Sequence, residues 1–267
     1  MNKRLIVIGF GLIAVLLLWS GISIYPDWLW FENLNFSPVF WTMLLSKFGF
    51  GLLIWLLLIF IISLSLYVAK RLNPGGGSGL GFKAADDYFA QLGLSSRALN
   101  SLLIVLILIL SSYIASKGAD QWNLLLRYLY QQPFGSTDPI FNRDIGFYLF
   151  SLPFYVYARE GLLVLFIFAG LVTMGWYLKN GALQIEGEFS QEQGAPPSLP
   201  KISVAPKAKQ HLIFLGGIIV LLLAWGFHLK MYGLLYSTQG PAFGASYTDV
   251  HIKVLAYKVL IIVSIGF

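Results

Sequence analysis

Hydrophobic residues along this chain gather in long unbroken runs, and polar residues are confined to the stretches between them. A helix that crosses roughly 30 Å of hydrocarbon needs about 20 mostly apolar residues. Five runs reach or approach that length: Leu5–Tyr25, Phe48–Ala69, Ala98–Ala115, Gly161–Leu178 and Leu212–His228. A sixth opens at Val254 and is still apolar at Phe267. It is too short to cross alone and carries Lys258 one turn in, so it reads as a span cut part-way in a fragment, in preference to an interfacial tail. The runs predict an all-α membrane fold, a polytopic transmembrane helix bundle of about six spans with interfacial helices in its loops. Lys3 and Arg4 ahead of the first run also suit a signal peptide. That run exceeds an apolar signal core of about 7–15 residues, so an uncleaved first span is expected.

Composition agrees with this pattern. Of the 267 residues 57% are hydrophobic and 11% charged, and the mean hydropathy is +0.74. Soluble domains run near 45–50% apolar and about 25% charged, so most cytosolic enzymes and a disordered chain are excluded. Cysteine is absent, which removes disulfides, thiolate nucleophiles and thiolate-bound metals. The net charge of +6 is scattered between apolar runs and marks no nucleic-acid partner.

Basic residues set the expected orientation. Lys3/Arg4 and Lys70/Arg71 abut spans directly, which places the N-terminus in the cytoplasm of a multi-pass cell-membrane protein. Ser116–Arg159 and Tyr232–Lys253 then become outer loops. Tyr25, Trp28, Trp30, Phe31, Phe36, Phe40 and Trp41 crowd the outer ends of the first two spans. They predict a connecting segment that lies along the membrane surface.

The loops carry further signals. Pro74–Gly79 is a flexible linker, since it has neither the preceding strand nor the Gly-Lys-Ser/Thr close of a phosphate loop. Phe82–Leu94 interleaves aromatic and charged residues, as a short amphipathic helix at the inner interface would. Glu186–Pro206, rich in Pro and acidic residues, reads as a mobile cytoplasmic loop, with Glu186 and Glu188 a solvated pair rather than metal ligands. Trp122, Leu125, Leu126 and Leu129 recur at helical spacing and predict an interfacial helix, ended by Gln131-Gln132-Pro133. The aromatic segment Asp138–Phe154 is expected to cap the outer helix ends, with Phe141, Phe147 and Phe150 turned inward.

Candidate chemistry is sparse. Asp138 before Pro139 is a turn-former whose carboxylate can accept backbone N–H groups. Asp138, Asp144, Glu160, Asp249 and His251 all fall on the expected outer side. Carboxylates and imidazole hold a divalent ion where they converge, so Asp138, Asp144, Asp249 and His251 are weak outer metal candidates, although no spacing forces convergence. Thr248 and Asp249 read more simply as an N-cap and a first-turn acid. His211, His228 and His251 lack a matched nucleophile, so no catalytic residue and no cofactor are assigned. His228 and Lys230 anchor the fifth span by snorkelling.

One loop carries a resemblance. Asp138-Pro139-Ile140-Phe141, Arg143-Asp144-Ile145, Phe147-Tyr148 and Leu152-Pro153-Phe154 resemble uncharacterised protein family 0182, large multi-pass membrane proteins of bacteria. Asp27–Glu32 running on to Val39-Phe40-Trp41, and Gly244–His251, are similar to the same family. Asn142 stands where that family often has Gly. The resemblance implies a longer parent with about seven spans followed by a large region outside the membrane, and no activity. Three functions are thus open: a membrane domain anchoring an extracytoplasmic domain, part of a transporter or channel, and the membrane part of a cell-envelope enzyme. The partners implied are the lipid bilayer and, for an incomplete path, further copies of the chain or other membrane subunits.

Overall fold

The computed structural model describes residues 21–73, 96–186, 201–237 and 244–266. Most of the first apolar run, the glycine linker, Phe82–Leu94 and Glu188 lie outside the described residues.

Helix α1 covers residues 21–33 and stops at Asn35, whose φ of 59° is left-handed. The Phe36 N–H donates to the Phe31 carbonyl at 2.8 Å and the Asn35 N–H to that of Glu32 at 3.0 Å. This pair of bonds closes a Schellman turn, where Asn is tolerated because its short polar side chain suits left-handed backbone. Helix α2 (Ser37–Leu72) starts at once, with Pro38 in its first turn. The aromatic segment expected on the membrane surface is therefore the abutting ends of two helices joined by a tight turn. At 36 residues α2 is about 54 Å long, well beyond one bilayer crossing. Lys70 and Arg71 close it against the negative end of its dipole.

Helix α3 (Ser96–Ala119) returns, followed by the short α4 (Trp122–Leu129) on the segment expected to be helical. A π-helical turn, Phe147–Ser151, leads into α5 (Leu152–Lys179) without a break. Pro153 has no N–H to give to the helical ladder, and just ahead of it the Leu152 N–H reaches back five residues to the Phe147 carbonyl. The loop expected over Ser116–Arg159 is consequently much shorter, because both of its ends are helical. Strands β1 (Leu183–Glu186) and β2 (Lys201–Val204) pair antiparallel, Leu183 opposite Val204 and Glu186 opposite Lys201. The stretch Glu186–Pro206 therefore begins and ends in fixed structure, with Pro206 already the first residue of a helix. Helix α6 (Pro206–Gly233) and, after a second π turn at Asp249–Lys253, α7 (Val254–Gly266) complete the described chain.

Among the described residues four helical stretches are long and apolar enough to cross a membrane: Ser37–Leu72, Asn100–Ala119, Phe147–Lys179 and Pro206–Tyr236. This is fewer than the six expected. The first run falls largely outside the described residues, and α7, at 13 residues, covers only about 20 Å. It packs on α6, with Phe227 stacked on Tyr257 at 6.2 Å.

The helices meet through small side chains. Ala69, Ala115, Ala169, Ala208, Ser65 and Thr173 are buried, whereas Leu52, Phe60, Ile104, Leu171 and Phe214 are more than half exposed. Large apolar residues outside and small ones inside is how helices pack when the surrounding medium is lipid. Helices α2 and α5 run parallel at a nearly constant offset. Phe50 meets Tyr157, Leu58 packs with Leu165, Ser65 bonds Thr173 at 2.6 Å, and Ala69 joins Tyr177 in one buried cluster. The steps of seven, eight and four residues keep one seam facing its partner. Thr173 donates to the Ala169 carbonyl at 2.7 Å, so Ser65 is the donor in their mutual bond. The bundle thus has a hairpin end, built on Ala69, Tyr177, Ala182 and Ala208, and a loop end, built on Tyr148, Leu152, Leu229 and Tyr232.

At Gly51 an added Cβ would lie 2.9 Å from the Ala119 Cβ, where α2 and α3 approach closely. Gly51→Leu is expected to prise these helices apart and destabilise the bundle by about 1–3 kcal/mol, read as a lower melting temperature in detergent.

Candidate functional site

The loop end carries the most organised polar structure. Between α4 and the first π turn the chain doubles back, with Thr137 bridging Asp144. Asp138 is the pivot and is 9% exposed. Its Oδ1 accepts the N–H groups of Ile140 (2.8 Å) and Phe141 (2.6 Å), and its Oδ2 accepts that of Arg143 at 2.9 Å. The Tyr148 hydroxyl donates to Oδ2 at 2.6 Å, which ties the turn to the helix that follows. Burial works against the charge of this carboxylate. The donors Phe141, Tyr148, Arg143 and Ile140 outweigh it and hold the carboxyl below the ordinary aspartate range.

Asp144 does the same for the opposite strand of the loop. It accepts N–H groups from Phe134 (3.1 Å), Gly135 (3.0 Å) and Gly146 (2.6 Å). The Phe134 bond is the main cause that lowers its pKa, with Gly146 and Gly135 adding to it against partial burial. Two carboxylates thus bind six loop N–H groups that would otherwise need water.

Aromatic rings lock this loop to the bundle. Phe141 and Phe147 each meet the Tyr232 ring edge-on at 5.1 Å, and Tyr148 is 5.9 Å from Tyr236. The Arg143 guanidinium lies 5.3 Å from the Phe147 ring and 5.9 Å from Tyr232, so its charge faces rings. Phe141, Phe147 and Phe150 are all half-buried, and the first two turn towards the Tyr232 ring. The fully buried aromatic is Tyr148, at 5% exposure. Sequence reasoning had no means to pick it out as the partner of Asp138 ten residues earlier.

Asn142 has a φ of 52°. A left-handed residue there explains why glycine suits this position and why Asn, alone among larger residues with Asp, is tolerated. Asn142→Gly is expected to leave the melting temperature nearly unchanged, whereas Asn142→Val should cost about 1–2 kcal/mol.

The second candidate group precedes α7. Ser246 and Asp249 form a reciprocal cap. The Asp249 N–H donates to Ser246 Oγ at 3.2 Å, and Asp249 Oδ2 accepts the Ser246 N–H at 2.9 Å and its hydroxyl at 2.8 Å. The cap is therefore Ser246 and not the expected Thr248. The Ser-x-x-Asp spacing is the signal that was available. Lys253 bonds the other Asp249 oxygen at 2.7 Å. Lys253, then the Ser246 N–H and hydroxyl, pull the Asp249 pKa from its ordinary 3.8 down to about 2. A carboxyl depressed in the fold adds stability above its unfolded pKa and loses it as pH falls through the folded value. The α7 start is expected to loosen between pH 4 and pH 2, and Lys253→Met should move that onset to higher pH, read by hydrogen exchange at 246–253. His251 points elsewhere: it is exposed, stacks on Tyr247 at 4.0 Å and has Nδ1 3.0 Å from the Tyr247 carbonyl.

Asp138 and Asp144 spend their oxygens on loop donors, and Asp249 spends its oxygens on Ser246 and Lys253. His251 is held by Tyr247, and among the described residues no three His, Asp or Glu side chains come together as a metal site would require. Glu160 is exposed on α5. One residue outside these groups has an unusual setting. Arg159 Nε donates to the Leu222 carbonyl of α6 at 3.1 Å, and its guanidinium fills the place a side chain would take at Gly226.

The model of the uncharacterised protein family UPF0182 matches residues 4–267. This chain belongs to that family. It is 31% identical to a UPF0182 protein of Desulforamulus reducens over 98% of the chain and 28% of the relative. A Pelotomaculum thermopropionicum relative is 33% identical over 94% of the chain and 27% of its own length. A Synechococcus relative is 32% identical over 89% and 25%. The chain thus spans about a quarter of the length of the curated UPF0182 relatives it matches. No solved structure matches it.

Proposed function

We propose that this UPF0182 chain is the membrane domain of a longer cell-membrane protein and that it anchors and orients a large extracytoplasmic region, with no catalysis of its own. The observation that carries this reading is the loop end, where two carboxylates and a set of interlocked rings fix the 138–154 segment to the ends of α5 and α6. A stiff platform of this kind supports a load on one side of the bilayer. Polar contacts between the described helices, such as Ser65 with Thr173, Tyr177 with His211 and Arg159 with the Leu222 carbonyl, join helix to helix. The loop end faces outward and the N-terminus lies in the cytoplasm, in keeping with Lys70 and Arg71 at the hairpin end.

The test uses the full-length protein in intact cells. This stretch has no cysteine, so single cysteines at the exposed Ser136 and Ser203 report its two ends. Membrane-impermeant maleimide is expected to label Ser136→Cys at once and Ser203→Cys only after permeabilisation. Protease added outside spheroplasts should then release a large soluble product. The reversed labelling pattern, or a chain whose remainder is protected from external protease, would sink the reading.

A further inference from the structure

Helices α2, α3 and α5 leave between them a cleft of ≈ 520 Å³. Its walls are apolar, with Leu53 and Leu57 on α2, Ile114 on α3 and Leu162 on α5. It extends along α5 from Phe154 to Leu165, about 16 Å of helix. Leu53 and Val164 at its edges are 57% and 47% exposed, so it opens sideways, towards the medium around the bundle. Where these helices cross a bilayer, that medium is hydrocarbon. A space of this size and character neither holds water, which would find no polar partners, nor stays empty, because its walls would forfeit their dispersion contacts.

Two of the side chains that line the cleft are charged, Lys117 near the end of α3 and Glu160 on α5, and both are exposed. Lys117 Nζ lies 5.9 Å from the centre of the Tyr113 ring, an aromatic that holds the ammonium at the edge of the apolar zone. An apolar slot that also carries one positive and one negative side chain complements an amphiphile of the reverse pattern: an alkyl chain, then a phosphate, then an ammonium.

We infer that the cleft between α2, α3 and α5 is a binding site for a phosphatidylethanolamine-type phospholipid, with one acyl chain in the cleft, the phosphate on Lys117 and the headgroup ammonium on Glu160. Gly161 lines the same cleft and has nothing within 4 Å of the position a Cβ would take. The site can therefore be plugged from 161, since a side chain there starts in open space inside the cleft. The inference needs only that these helices cross a bilayer and is independent of the anchoring role.

The experiment is native mass spectrometry and lipid extraction on the full-length protein, purified in mild detergent and supplied with phosphatidylethanolamine or phosphatidylglycerol. Wild type is expected to retain one phosphatidylethanolamine per chain in preference to phosphatidylglycerol. Gly161→Leu, which displaces two or three methylenes, should cut retention about tenfold or more at an unchanged melting temperature. Lys117→Ala should weaken retention of both lipids about two- to fivefold, the scale of one partly exposed ion pair. Glu160→Gln should abolish the preference for phosphatidylethanolamine while keeping phosphatidylglycerol bound. The inference is overturned if wild type retains no lipid, if Gly161→Leu folds and retains as much as wild type, or if Glu160→Gln leaves the headgroup preference intact.

Discussion

In Asp138→Ala the loop end of the bundle is expected to come apart while the membrane helices stay folded. The variant removes one carboxylate and strands four donors: the N–H groups of Ile140, Phe141 and Arg143 and the Tyr148 hydroxyl. Tyr148 is buried, so its hydroxyl cannot turn to water for compensation. Hydrogen bonds to a charged group contribute about 1.5–3 kcal/mol each, but bonds to one carboxylate do not add, and a total of about 3–5 kcal/mol is expected. Asp138→Asn keeps one acceptor oxygen and turns its NH2 towards donors, so it should be nearly as damaging. Tyr148→Phe removes one bond and leaves three, at about 1–2 kcal/mol. The measurement is hydrogen exchange across 138–154 together with thermal unfolding in detergent. Fast exchange confined to this segment in Asp138→Ala is the expected pattern. Wild-type protection in that variant would mean that the rings alone hold the cap.

The lengths of the apolar runs made the helices legible, because hydrocarbon thickness fixes how many residues a crossing needs. Their ends were less legible. Helices α2 and α5 each extend about ten residues past the apolar run, through Ser37–Lys47 and Leu152–Glu160. There the sequence holds polar and aromatic residues that hydropathy scores against a span, yet helix propensity and packing continue the ladder. At Pro153 the helix continues from a π turn, a feature that no spacing in the sequence announces. The cap was legible in kind, since Asp-Pro and dense aromatics imply a bound-up turn. It was not legible in detail. Nothing local links Asp144 to Phe134, ten positions away, or Arg143 to the Tyr232 ring on α6. The first exists only once the loop has doubled back, and the second only once α5 and α6 lie antiparallel. The contacts of Asp138 with Tyr148 and of Asp144 with Phe134 likewise depend on how the loop closes, which no spacing announces.

Gly226→Leu should loosen the contact of α5 with α6, and its cause is a displaced charge rather than a void. A Cβ at 226 would sit 2.6 Å from the Arg159 Cζ and Nη2 and 2.7 Å from Nε, closer than any real Cβ approaches. The guanidinium lies flat on the backbone of α6 there, with Nε on the Leu222 carbonyl. Helical geometry already pairs that carbonyl with the N–H of Gly226, so one oxygen serves both helices. Any side chain at 226 must push the guanidinium away from this acceptor, at the edge of the apolar zone where a replacement partner is scarce. Overpacking costs about 1–3 kcal/mol and the lost charged hydrogen bond about 1.5–3 kcal/mol, so Gly226→Ala should lose about 2–4 kcal/mol and Gly226→Leu more. Arg159→Ala vacates the slot, loses the bond and is expected to cost less than Gly226→Leu. The decisive measurement is the double variant Arg159→Ala/Gly226→Ala, followed by thermal unfolding in the same detergent. Because the two residues share one space, the double variant should be more stable than the sum of its single changes by about 1–3 kcal/mol. Strict additivity would show that α5 and α6 are not held together by this contact, and that the close approach at Gly226 serves only the helix that contains it.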